Sequence, residues 1–383
     1  MSSSSSTPRA LYVTRPLCPP WDEASKNFAH DLAKHVRHVQ PILLTYGTLD
    51  DVHCQQEAVY SACHFDTRQK LRSIWAQWKL RNTAEIAHYF FTPTRTNAAI
   101  VRAILSQTRR RVRTIQTIAT LRDDIVPTSH LRRLLFADAL VTYTRYTRDM
   151  LRSLGFDNVT HAAPGIDLQH FRPLAPDPAV RTHFDIPSDA RVVMYPGEYV
   201  RLGATDMILD AMRAYWRSDH PGAQKTILLL ALRVKNAADA EKKAAIHTAL
   251  QRDGLASFVR YTDTYADMRA LYNLSDIVLF PVRTMAGKFD VPLALVEAFA
   301  CARCTIVSDI PRLREFTHPS FSAIIESGDT AALTVAISQL LDNDAARHAM
   351  GQRAKEFAHN QFDIKHTAQH YDELYDTLRV RSA

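Results

Sequence analysis

Strand-like and helix-like segments alternate along nearly the whole of this 383-residue chain, a pattern that commits a sequence to parallel sheets joined by crossover helices. In the first half, strands are expected near Leu11–Thr14, Ile42–Thr45, Ile86–Phe91, Arg113–Ile118, Ala139–Thr142 and Val159–Ala162. Helices are expected between them, including Ala24–Val36, Arg68–Leu80 and Thr96–Gln107. In the second half, strands are expected near Val192–Pro196, Ile227–Leu232, Phe258–Tyr261, Ile277–Phe280, Thr305–Val307 and Ser322–Ile325, and the chain reads as helical from Asp329 onward. Pro164, Pro173, Pro176 and Pro178 interrupt the alternation and favour an extended linker. The length suits two domains of under ~200 residues each rather than one core. The expected division is a disordered tail over 1–8, a first domain over 9–172, a second over 173–360 and a final helix over 361–383.

Hydrophobic content of 46% and charged content of 23% are ordinary globular values. Cys301 and Cys304 form a Cys-x-x-Cys, but no second pair accompanies it, so both read as small buried apolar residues in a reducing compartment. No apolar run reaches the ~18 residues a bilayer requires, and Met1–Thr7 lacks the apolar stretch of a signal peptide. Charge is unevenly placed. Residues 1–175 hold 23 Lys+Arg against 14 Asp+Glu, while residues 176–383 hold 24 against 26. Residues 68–113 contain 11 basic residues and the single acid Glu85. That imbalance calls for an anionic partner.

Residues 287–315 carry the most chemistry. A polar turn (Gly287-Lys-Phe-Asp-Val-Pro292) leads into a short helix, then a buried strand over Thr305–Val307, then a second turn at Asp309. Leu293, Val296, Ala300 and Cys301 recur at helical spacing, and Glu297 lies among them. An acid placed there faces the carboxyl ends of parallel strands, where open α/β sheets bind ligands.

This segment resembles the sugar-nucleotide signature of retaining glycosyltransferases of family 4, the glycosyl transferases group 1. Glu297 matches the second of the family's two acids, the first would fall on Phe289, and the usual glycine after the helix is Ala302. Thr142–Leu151, Ala163–Pro173, Tyr195–Ala204 and Asp267–Pro281 resemble other family segments in the right order, so the resemblance covers most of the chain. It implies the GT-B fold: α/β, two facing Rossmann-like domains with an interdomain cleft. It also implies a last helix, with Tyr371, Leu374 and Leu378 on one face, that crosses back to the first domain.

The implied activity is transfer of a hexose from a nucleoside diphosphate sugar to a glycan or lipid-linked acceptor in cell-envelope or exopolysaccharide synthesis. The resemblance implies no metal and no cofactor beyond the donor; the lack of a signal-peptide stretch reads as a cytoplasmic chain, and the basic residues of 68–113 leave open a peripheral place at the inner membrane face. A leaving diphosphate is best met by fixed cations and by N–H groups at a helix start. Arg201 holds the position of a phosphate-gripping cation, while Glu198 stands where the family has a second arginine. Arg233 and Lys235 end an apolar strand and either replace that cation or are simply solvated. Glu297 is expected to accept hydrogen bonds from the nucleotide ribose. Lys288 and Asp290 either contact the sugar in place of the missing acid or form an ordinary polar turn. Gly197, Val291, Pro292 and Leu293 complete the implied donor site, with Arg201, Lys235 and Asp290 as its catalytic members.

On the acceptor side, the turn from Cys18 to Lys26 is bulky where the family has glycines, and it offers Trp21, Asp22 and Lys26. Asp22 and Ser25 read equally well as a helix N-cap. His88, on a strand, is an alternative base, although a lone histidine on a strand is more often structural. A non-catalytic sugar-nucleotide or glycan binder is the rival reading, motivated by the missing acid and by Glu198. Nucleic-acid binding has only charge in its favour and lacks an aromatic-plus-basic recognition motif. Within Arg68–Arg81, Leu71, Ile74, Trp75 and Trp78 recur at i, i+3, i+4, i+7 among basic residues. Such a helix either lies in a membrane interface or uses those aromatics as core.

Overall fold

The computed structural model describes residues 7–380 apart from 20, 22, 92–93 and 122–125. Asp22 and the first six residues of the expected tail therefore lie outside the described residues. Two compact units are present. The first comprises residues 1–167, 286–291 and 362–383, and the second 168–285 and 292–361.

The first unit is built on a seven-stranded sheet: β1 (Arg9–Leu17), β2 (Gln40–Thr45), β3 (Gln55–Ala58), β4 (Ile86–Tyr89), β5 (Arg113–Ile118), β6 (Ala139–Thr142) and β7 (Val159–His161). Its order is β3-β2-β1-β4-β5-β6-β7, and each neighbouring pair is parallel. Strand β3 is absent from the sequence expectation because Gln55-Gln-Glu-Ala58 carries no apolar pattern. It is an edge strand whose side chains stay largely accessible.

The helix Ile364–Val380 belongs to this unit. It buries Ala368, Tyr371, Tyr375 and Leu378, so Tyr375 rather than Leu374 takes the middle of the apolar face. Asp372 accepts hydrogen bonds from the backbone N–H groups of Arg37 and His38 at 3.0–3.1 Å, tying down the chain just beyond the helix Ala24–His35. That helix begins after Glu23, not at Asp22 or Ser25, and Glu23 gives no side-chain cap but pairs with Arg15 at 2.8 Å.

The second unit holds a six-stranded parallel sheet: β8 (Arg191–Glu198), β9 (Thr226–Arg233), β10 (Val259–Tyr261), β11 (Ile277–Phe280), β12 (Cys304–Asp309) and β13 (Ala323–Glu326), in the order β10-β9-β8-β11-β12-β13. Val192–Tyr195, Leu228–Leu230 and Ile277–Leu279 are wholly buried, as expected of strands covered by helices on both faces. Cys301 and Cys304 are buried and free. Cys18 and Cys63, by contrast, are joined in a disulfide, a pairing that the expectation of an all-reduced chain did not foresee.

The helix Leu293–Ala300 closes with a Schellman turn. Arg303 N–H donates to Ala298 O and Ala302 N–H to Phe299 O. The turn requires a left-handed residue, and Ala302 supplies it at φ +55°. That conformation costs a residue with a Cβ roughly 1–2 kcal/mol.

Candidate functional site

In each sheet the strand order reverses once, between β1 and β4 in the first and between β8 and β11 in the second. The carboxyl ends flanking such a reversal form the natural ligand crevice. In the second unit those ends are Glu198 and Phe280; Arg201 lies in the loop that follows the first, and Glu297 in the helix that follows the second.

The loop after β8 runs through Arg201 to Gly203, which turns at φ +67°. A helix then begins at Thr205, and its N-cap, Ala204, has no side chain to satisfy the first N–H groups. Asp206 in the first turn would oppose an anion, but Lys242 holds it at 2.6 Å. Arg201 is exposed and forms no ion pair among the described residues. Arg283, three residues beyond β11, was not foreseen. Its N–H donates to Leu202 O at 2.9 Å, and its side chain passes Gly203 and comes within 3.7 Å of where a Cβ on Gly328 would sit. The loop thus carries the Arg201 guanidinium, is braced by the aliphatic stem of Arg283, and leads its backbone N–H groups into a helix. That is a fit for phosphate oxygens.

Glu297 is the fifth residue of its helix, one turn deeper than a helix-start acid, so the helix dipole is not its main influence. Burial lifts its carboxyl to about 7, and the Tyr272 hydroxyl, donating to Oε2 at 2.8 Å, opposes the rise. The residue keeps part of its surface accessible. An acid so placed is half-protonated near neutrality and gains from any further hydrogen-bond donor. Tyr272 itself is wholly buried. Its role could not be read from sequence because it arrives from the helix Met268–Leu274, well upstream of the signature.

Lys235, expected to replace a missing cation, is neutralised instead: its Nζ lies 2.8 Å from Glu198 Oε1. Glu198 is 4% exposed, so this contact compensates a buried charge. Arg233 lies partly buried at the end of β9, and Gly197 near the end of β8. Pro292 caps the Glu297 helix and Leu293 opens it.

The remaining donor candidates group with the first unit. Lys288, Asp290 and Val291 fall in the segment 286–291. Asp290 is 3% exposed; its N–H donates to Ala119 O, and its carboxylate accepts from Thr147 Oγ1 at 3.1 Å. Phe289, standing where the family has an acid, packs on Tyr143 with ring centroids 4.9 Å apart.

Of the residues expected on the acceptor side, Trp21 stacks on His30 at 4.1 Å, with the Lys26 ammonium 5.9 Å from its ring. His88 lies elsewhere. It is wholly buried in β4, with Nδ1 2.8 Å from Tyr375 Oη and Nε2 2.7 Å from Thr117 Oγ1, and burial holds its pKa well below the usual value. Both ring nitrogens are engaged in a core network that continues to Tyr12 and Tyr371. His88 is therefore a neutral structural residue and not an acceptor-side base. Among the described residues no cluster of His, Cys, Asp or Glu is gathered that could hold a metal ion.

Residues 190–343 match the family described as glycosyl transferases group 1. The chain is 25% identical over 253 residues to a D-inositol 3-phosphate glycosyltransferase of Saccharomonospora viridis, a match covering 64% of this chain and 56% of that protein. It is 31% identical over 126 residues to the N-acetyl-alpha-D-glucosaminyl L-malate synthase of Bacillus anthracis, covering 32% of this chain and 31% of that protein. The chain spans about half the length of the D-inositol 3-phosphate glycosyltransferases it matches. Among solved structures, a glycosyltransferase from Rickettsia africae superposes with a TM-score of 0.77 at 14% identity, covering 97% of this chain and 99% of that one. The Anabaena HepE protein in complex with UDP and glucose gives 0.75 at 14%, covering 96% and 99%. Sucrose-phosphate synthase from Thermosynechococcus elongatus gives 0.76 at 16%, covering 98% and 100%.

Proposed function

Because its second unit belongs to the glycosyl transferases group 1 and the whole chain has the GT-B fold, we propose that this protein moves a hexose from a nucleoside diphosphate sugar to a glycan or lipid-linked hydroxyl, with retention at the anomeric carbon and without a metal ion. The observation that carries this reading is the arrangement in the second unit: the hydrogen bond from Tyr272, in the helix before β11, to the part-buried Glu297, in the helix after it, and Arg201 in the loop after β8 with Arg283 packed against that loop. The acid would accept from the nucleotide ribose. The two guanidinium groups and the N–H groups of the helix Thr205–Trp216 would meet charge growing on the leaving diphosphate. Leaving-group phosphate, with no carboxylate nucleophile required, would take the acceptor proton as attack proceeds on the face it vacates. The HepE complex with UDP and glucose supports a uridine nucleotide as the first donor to test. The names of the curated relatives make D-inositol 3-phosphate the first acceptor probe.

Calorimetry with a panel of nucleotide sugars tests the site. Glu297→Gln is expected to weaken the preferred donor by about 10- to 100-fold, the worth of a charge-assisted hydrogen bond. Unchanged affinity would remove Glu297 from the site.

The Glu198–Lys235 pair favours a second reading, a sugar-nucleotide binder without turnover, because it uses up a cation that could otherwise hold phosphate. Release of free nucleoside diphosphate separates the two, since a binder releases none.

A further inference from the structure

The helix Thr67–Leu80 is turned opposite to what its apolar periodicity suggests. Asp66 caps it, accepting from Gln69 N–H at 2.9 Å. Its buried face is Gln69, Ser73, Ala76, Gln77 and Leu80. The polar members of that face are bonded locally: Gln69 exchanges two hydrogen bonds with Ser61, and Gln77 Nε2 donates to Ser73. The outward face carries Leu71 at 62% exposure, Trp75 at 55% and Trp78 at 45%. Three large apolar side chains on one exposed helical ridge are not explained by the core of this unit.

Their surroundings are cationic. Lys79 sits 5.2 Å from the Trp75 ring and Arg81 4.3 Å from the Trp78 ring. Trp78 Nε1 donates to Gln107 Oε1, and Arg109 N–H donates to Asn82, so the exposed run Arg109–Arg111 is tied beside the same ridge. Arg111 is partly engaged by Asp138, while Glu85, the one acid within 68–113, accepts from Arg9 N–H.

We propose that this face docks on an anionic lipid surface, with Leu71, Trp75 and Trp78 entering the headgroup boundary and the basic rim meeting phosphate headgroups. Aromatic rings flanked by cations suit that boundary. Leu71, the most exposed of the three, gains from hydrocarbon and would gain nothing from stacked bases.

The test is co-sedimentation of the full chain with vesicles of phosphatidylcholine alone or mixed with phosphatidylglycerol, at low and high sodium chloride. Binding is expected only with phosphatidylglycerol, falling steeply with salt and accompanied by a blue shift of tryptophan emission. Each basic residue at such a surface is worth about five-fold, so Ser at Arg109, Arg110 and Arg111 together should weaken binding roughly 100-fold. Leu71→Ser/Trp75→Ser should abolish the emission shift while leaving far-ultraviolet circular dichroism and the urea midpoint unchanged, because both side chains are exposed. Absence of binding, equal binding to neutral vesicles, or salt-insensitive binding would overturn the proposal. So would a concentration-dependent dimer that Leu71→Ser/Trp75→Ser abolishes, since that would assign the face to a second copy of the chain.

Discussion

Replacing Glu297 with Gln should stabilise the ligand-free protein at neutral and alkaline pH, and by an amount that depends on pH. Burial raises the Glu297 carboxyl from 4.5 to about 7 in the folded chain. The folded state therefore holds a proton that the unfolded state releases between those values. Stability from this group is fully present below pH 4.5 and is lost as pH rises through about 7. A shift of about 2.5 units corresponds to about 3 kcal/mol, a ceiling because the side chain keeps partial accessibility. Gln removes the titration and still accepts from the Tyr272 hydroxyl. Wild type and variant should thus be nearly equal near pH 4.5 and diverge by about 2–3 kcal/mol in favour of the variant at pH 8. Urea unfolding across a pH series, followed by a probe in the second unit so that each domain's transition is read separately, measures the difference. A constant offset at every pH would refute the reasoning, since it would mean that the acid is ionised throughout or does not titrate between the two states. The same substitution is expected to weaken donor binding, so stability and affinity should move in opposite directions. A ribose hydroxyl donating to the carboxylate would favour its ionised form, so donor binding near pH 7 should also release protons, visible as a buffer-dependent calorimetric enthalpy.

Arg201→Ala and Arg283→Ala should each depress kcat more than they raise KM for the donor, because leaving-group charge grows in the transition state; a change in KM alone would make either residue a ground-state contact. EDTA should leave turnover unchanged, and a full loss restored by magnesium or manganese would overturn the metal-free reading. Ala302→Gly should stabilise the second unit by about 0.5–1 kcal/mol, the relief of a left-handed Cβ less the added entropy of an unfolded glycine; a lower urea midpoint would show that the turn is not strained. Gly351→Ala should strongly destabilise the same unit, because the new Cβ would lie 2.2 Å from Ala302 O; an unchanged midpoint would mean that the helix Asp344–Gln361 shifts without cost.

Strands such as Ile277–Phe280 were legible because burial on both faces writes them as unbroken apolar runs, and Arg113–Ile118 and Ala139–Thr142 also match their expected bounds although Thr114, Gln116 and Thr117 interrupt the apolar pattern of the first. The edge strand β3 has no such run and was invisible. Periodicity placed the helix Thr67–Leu80 but could not say which face turns inward, because Gln69 and Gln77 bury by bonding to near neighbours in a way that no apolar count records. Glu297 could be read as a position, but its partner could not, since Tyr272 joins it only when two helices pack. Arg283 went unremarked because it stands in a loop between two recognisable segments, and its nearness to Gly203 is a product of strand order. His88 stayed open between an acceptor-side base and a structural residue because a histidine on a strand looks the same from sequence whether its ring meets solvent or Tyr375. Cys18 and Cys63 stand 45 residues apart, a separation that signals nothing by itself.

The first unit is discontinuous in sequence, and this bears on synthesis. Its sheet is complete once residue 161 has been made, but the helix that supplies Tyr371, Tyr375 and Asp372 to its core comes some two hundred residues later, entering beside Ile166 through a hydrogen bond from Ile166 N–H to Phe362 O. Domains usually mature on the ribosome in the order they emerge. Here the earlier domain must wait, with His88 and Thr117 short of their hydroxyl partners, while nearly all of the later one is translated. The waiting sheet is a natural client for a chaperone. A stop codon shortly before residue 364 would damage the domain encoded first more than the one encoded last.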